Sequence, residues 1–155
     1  MAGFRYTLRQ WRGRVGLPVE AMVCLALARL ACLVMPFRLA LRLVGLQPVP
    51  QSAERMGPLG PLDPRIPAVA GMITRMAERV PFRAVCLQQS FAAALMLRRR
   101  GLPVDVHLGV RRENGVFAAH AWSLSDGHPV TGVPEAGTYQ TVAILRAGWS
   151  HQPLL

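Results

Sequence analysis

A cysteine at position 86 and a histidine at position 120 are the residues of this sequence whose types and separation could break and make an acyl bond. A thiol is a nucleophile when ionised, and ionisation is favoured at the first turn of a helix, where unpaired amides and the helix dipole stabilise negative charge. Cys86 opens a stretch of helical spacing over 86–100 (CLQQSFAAALMLRRR) that Gly101 closes, and Arg83 just ahead adds positive potential. His120 lies in AAHAW, 118–122, where small neighbours leave room around an imidazole. Taken singly, Cys86 reads equally as a small buried hydrophobe, as Cys24 and Cys32 do in their apolar helix, and His120 as a satisfied core histidine. A cysteine at a helix start followed by a histidine on a later strand is nonetheless an arrangement that can unite nucleophile and base. His107 faces away from the apolar row of its strand, His128 stands beside a turn and His151 is in the tail, so none competes.

The elements that must position the pair follow from periodicity. Residues 19–35 are almost wholly apolar and predict a helix that starts near Pro18 and ends before Pro36. Its length approaches a membrane span, but Arg29 at the centre argues for a buried or interfacial helix. Residues 37–46 (FRLALRLVGL) continue with Arg38 and Arg42 one turn apart, a basic stripe that suits packing on the domain, a membrane surface or a partner. Six prolines between 47 and 67 predict a linker or long loop with no helix or central strand, and 68–79 predicts a short helix. Beyond 86–100, whose terminal arginines suit the negative end of the dipole, the period changes to two. Strands are expected at 103–110, 116–125, 128–133 and 138–145, with turns at Glu113-Asn114-Gly115 and Asp126-Gly127. Helices followed by an antiparallel meander define an α+β class, divided as an N-terminal helical region 1–46, a Pro-rich segment 47–67, a core 68–148 and a tail 149–155.

Composition narrows the functional classes. The chain has 155 residues and a net charge of +10, carried by 18 arginines and no lysine against eight acids. Such a surface attracts nucleic acid, anionic lipid or acidic peptide without distinguishing them, so no specific nucleic-acid binding is inferred. Three cysteines without CxxC or Cys/His spacing indicate neither a disulfide framework nor a zinc site, and nothing resembles a phosphate loop; no metal, nucleotide or other cofactor is expected. The polar, arginine-rich opening does not read as a signal peptide, which points to the cytoplasm, with membrane association through the N-terminal helices left open.

With Cys86-Leu87, LRRRGLP at 97–103, HLGVR at 107–111, AHAW at 119–122 and VTG at 130–132, residues 81–132 resemble the protease half of lasso-peptide biosynthesis B proteins. The resemblance implies a transglutaminase-like, papain-related fold and a Cys-His-Asp triad that removes the leader from a ribosomally made precursor before an ATP-dependent cyclase closes the ring. Cys86 carries over as nucleophile and His120 as base. The acid does not carry over, since Val133 occupies the family's position. A two-residue turn at 126–127 pairs Ser125 with His128 and sets His120 opposite Val133, so Glu135 shares that face if the strand persists past Pro134. Glu135 is therefore the expected orienting acid; Asp105, Asp126 or no acid at all are the alternatives, Asp126 being better suited to turn chemistry. The oxyanion falls to the Cys86 N–H and a second donor such as Gln88 or Gln89.

A cysteine endopeptidase acting as leader peptidase is the leading reading. An acyl or amide transferase of the same fold and a non-catalytic scaffold or membrane-surface adaptor are its rivals. The first 80 residues show no alternating strands for a leader-binding module. A separate leader-recognition protein is thus the expected partner, docking on 37–46, beside the precursor peptide and the cyclase.

Overall fold

The computed structural model describes residues 3–54 and 57–147, with residues 3–15 as backbone alone. The tail expected at 149–155, with His151, lies outside the described residues. The helix predicted at 19–35 begins much earlier, as α1 (Gly3–Val34), with Pro18 inside it. The proline forfeits one backbone hydrogen bond there without ending the helix. Ala21, Cys24, Leu25, Ala28 and Ala31 form its buried stripe, and the alanines let α1 lie close to its neighbours. After Pro36 comes α2 (Phe37–Val44), ended by Gly45 in the left-handed conformation.

Segment 47–67 holds no central strand, as expected of a linker or long loop, but it is attached to the sheet. It contributes β1 (Gln47–Val49), whose Pro48 is tolerated because the strand lies at a sheet edge. Beyond β1, Ala53 accepts a hydrogen bond from Arg146 at 2.8 Å and Leu59 donates to the Asp126 carbonyl at 3.0 Å, so the segment is tied to the sheet. Helix α3 (Arg65–Ala77) starts three residues before the expected 68, because the Asp63 carboxylate accepts the Arg65 N–H at 2.9 Å and Pro67 falls in the first turn, where no N–H is needed.

The centre of the molecule is α4 (Cys86–Arg98), whose Phe91, Ala92, Ala93, Ala94, Met96 and Leu97 are wholly buried. One apolar core joins residues of α1, α2, α3 and α4 to the inner face of the sheet. The terminal arginines do more than answer the dipole. Arg98 donates to the Val44 carbonyl, and Arg100 grips the Glu20 carboxylate of α1 at 2.9 and 2.7 Å.

The sheet is antiparallel throughout, in the order β1-β5-β2-β3-β4. The strands β2 (Val104–Glu113), β3 (Val116–Ser125) and β4 (His128–Thr131) form the expected meander, with Asn114 and Asp126 at positive φ in the two-residue turns. The last strand corrects the simple meander: β5 (Gln140–Ala147) crosses over to pair with β2, satisfying the backbone groups of the edge that β3 leaves open. β4 also ends earlier than the predicted 133. Gly132, with φ +66°, turns the chain into the short helix α5 (Val133–Ala136).

Candidate active site

Cys86 is the first residue of α4 and is partly exposed. Its amide and the two that follow belong to the helix's first turn, where no intrahelical acceptor exists. The two glutamines proposed as oxyanion donors are used locally. Gln88, 4% exposed, accepts the Val85 N–H at 3.3 Å through Oε1, and Gln89 donates its side-chain amide to the Ala84 carbonyl at 2.8 Å. Both fix the entry of the chain into α4; the first-turn backbone amides and the Gln88 side-chain NH2, which that bond leaves unused, are the donors nearest the thiol in sequence.

One turn further, Ser90 shares a buried hydrogen bond of 3.1 Å with Thr131 of β4, and Thr131 shares another of 2.6 Å with Ser123 of β3. This chain of hydroxyls pins the first half of α4 to the end of β4. The residue after Thr131 is Gly132, and its carbonyl stands 2.7 Å from Nε2 of His120. A side chain at Gly132 would bring Cβ within 2.6 Å of the Ala121 carbonyl and 3.0 Å of that Nε2, so glycine is required by contact as well as by its positive φ. Helix α4, through Ser90, and the His120 ring are thus tied to adjacent residues, Thr131 and Gly132.

A carbonyl can only accept, so Nε2 of His120 carries the proton and, in the neutral ring, Nδ1 keeps the lone pair. Glu135 Oε2 lies 3.8 Å from the same Nε2. The expected neighbour of the histidine is therefore present, but by a different route. A register shift between Ser123 and Leu124 pairs Ser123 with Thr131, one residue beyond the regular hairpin, and Glu135 reaches His120 from α5 instead of from an extended strand. Asp105 is on the same sheet face as His120 but pairs with Leu124, four residues along β3, with His107 and Trp122 between. It is buried and held by Arg146 at 2.6 and 3.0 Å. Asp126 occupies its turn at φ +48°, accepting from Leu59 through its carbonyl.

Cys86 and His120 themselves share no hydrogen bond among the described residues. Cross-strand pairing puts His120 on the face of β3 that carries Trp122 and, on β2, Gly109 and His107, whereas Ser123 belongs to the row facing α4. The ladder of β4 ends at Thr131, opposite Ser123, so His120 stands where β3 has outrun β4.

Residues assigned no role in the site from sequence alone hold the ring in place. Trp122 stacks on it at 6.0 Å, Tyr139 lies against it at 5.0 Å, and His107 stacks behind Trp122 at 5.4 Å. Burial keeps the His107 imidazole more weakly basic than usual, which suits an uncharged packing partner. Gly109, paired with His120, leaves the space these rings fill: a Cβ there would stand 2.7 Å from Trp122 and 2.9 Å from Tyr139. The i, i+2 relation of His120 and Trp122 was readable from strand alternation, but Gly109 and Tyr139 join the site only through the register of β2 with β3 and β5.

A central helix opened by a cysteine, packed on an antiparallel sheet that carries a histidine on β3, is the arrangement the structure presents. A family profile described as the transglutaminase-like superfamily matches residues 31–144, and the chain belongs to that superfamily. The superfamily includes cysteine peptidases and transferases. No curated protein and no solved structure matches the chain.

Proposed function

We propose that the protein is a cysteine endopeptidase that removes the leader from a lasso-peptide precursor. The observation that carries the reading is the state of His120: its Nε2 is spent on the Gly132 carbonyl with Glu135 close by, and its Nδ1 makes no hydrogen bond among the described residues. That is a base held by one nitrogen and presented by the other. Superfamily membership supports the scaffold, and the resemblance of the motifs at 86–87, 97–103, 107–111, 119–122 and 130–132 supports the substrate class.

In this mechanism the bound substrate brings the Cys86 thiol and the His120 imidazole into hydrogen-bond reach. His120 takes the proton of the Cys86 thiol, and sulfur attacks the carbonyl at the leader–core junction. The oxyanion is met by first-turn amides of α4, beginning with that of Cys86. His120 returns the proton to the departing amine of the core, and water then cleaves the thioester to release the leader acid and free thiol. An amine in place of water would make the same enzyme a transferase, the second activity that the superfamily includes.

The substrate's extended leader requires a binding surface, and the elements over residues 3–54 are two helices, one three-residue strand and a single 3-10 turn at Gln51–Ala53. We assign leader recognition to a separate protein and use of the freed core amine to the ATP-dependent cyclase. Incubating the purified chain with a precursor and following peptide masses tests this directly. Two fragments whose masses sum to precursor plus water, formed faster when the recognition protein is added, are expected; equal rates with and without it contradict the divided arrangement, and an adduct with an amine would replace hydrolysis by transfer.

A further inference from the structure

We propose that the outer face of α1, continued by α2, seats this protein on an anionic membrane surface, with the helix lying in the headgroup plane instead of crossing. The inference is independent of the peptidase reading. From Gly16 to Val34, the larger apolar side chains of α1 other than Leu25 are mostly on its outside: Val19, Val23, Leu27, Leu30, Leu33 and Val34 are exposed, from 48% at Val19 and Leu27 to 69% at Val34. Only 28% of the span Gly16–Val34 is buried inside the protein. The face runs for about 22 Å along the helix, at 1.5 Å per residue, and continues into Leu39 and Leu43, which are 49% and 55% exposed.

Charge completes the match. Between Glu20 and Glu54 the sequence contains no acid, while Arg38 and Arg42 are exposed on α2 beside the apolar strip. Aliphatic side chains with basic neighbours suit acyl chains beneath anionic headgroups. A protein-binding hot spot would draw on Trp, Tyr and Arg at its centre, with Leu and Val under-represented, and this strip is built from Val and Leu. Crossing is opposed by the other side of the helix. Ala21, Cys24, Leu25, Ala28 and Ala31 are buried in the core, Glu20 is bound to Arg100, and Arg29 donates to the Arg83 carbonyl at 3.3 Å, so a span would have to be torn from the domain.

Flotation with vesicles of phosphatidylcholine, with and without phosphatidylglycerol, tests the proposal on the full chain. Leu30→Gln/Leu33→Gln and Arg38→Gln/Arg42→Gln change only exposed side chains, and circular dichroism melts check that both variants fold. The wild type is expected to float with the anionic vesicles, about tenfold less with neutral ones, and each double variant to lose about tenfold or more in binding, with added salt weakening the wild type. No flotation with either vesicle, or flotation that neither double variant reduces, overturns the proposal. It is also overturned if the wild type ignores vesicles but co-elutes with the leader-recognition protein in a manner the leucine double abolishes, for then the face is a protein interface.

Discussion

His120 has one nitrogen committed and one available, and that division determines what each neighbour contributes. The Gly132 carbonyl sets the tautomer at 2.7 Å, and Glu135, 63% exposed at 3.8 Å, adds a water-screened charge. His120→Ala should therefore reduce kcat about a thousandfold, the scale of a lost general base, whereas Glu135→Gln should cost no more than about fivefold, the scale of an exposed ion pair. Precursor cleavage by folded variants, followed by mass, checks the order. A greater loss for Asp105→Asn or Asp126→Asn than for Glu135→Gln, at equal folded fraction, would contradict the assignment. At this scale the sequence was informative for side chains whose role depends on their own element: Cys86 does open a helix, and His120 does lie on a strand with Trp122 two residues on. It was uninformative for Gly109, Tyr139 and Gly132, because their contribution depends on strand register and on a bulge, neither of which leaves a periodic trace.

Elements are joined by a few polar clasps, and one gives a pH signature. Glu20 of α1 is held below the ordinary carboxyl range, first by its hydrogen bond from Arg100 and further by the charges of Arg100 and Arg99, against the opposing effect of burial. A carboxyl whose folded pKa is depressed contributes stability above its unfolded value of 4.5, and that contribution is lost as pH falls through the folded value. Thermal melts of wild type and Glu20→Gln from about pH 6 to about pH 3 should converge as the acid end is approached, because the variant lacks the group that titrates. Curves that remain parallel would show that the clasp between α1 and the end of α4 does not contribute. The clasp also explains part of the arginine triplet, which the sequence linked to the helix dipole alone; a contact between residues 20 and 100 is long-range and invisible to local pattern. Likewise Pro18 looked like a helix start and proved to be interior, since the helix had enough residues on both sides to carry one missing hydrogen bond.

Over the whole molecule, the α+β class and the sequence of helices before strands were legible because helical and strand periods differ so clearly on either side of Gly101. The crossover of β5 to β2 and the edge strand β1 were not, since both arise from satisfying backbone groups of β2 and β5 across large sequence separations. The resulting layout buries Cys24 and Cys32 in or against the core, where desolvation raises both thiols above their usual range, and sets Cys86 at a partly exposed helix start. The most direct measurement is therefore precursor cleavage by the three single cysteine variants, each assayed with and without a thiol-alkylating reagent. Cys86→Ala should be inactive, while Cys24→Ala and Cys32→Ala cleave as the wild type does until the reagent stops them; cleavage by Cys86→Ala that the reagent still blocks would contradict Cys86 as the nucleophile.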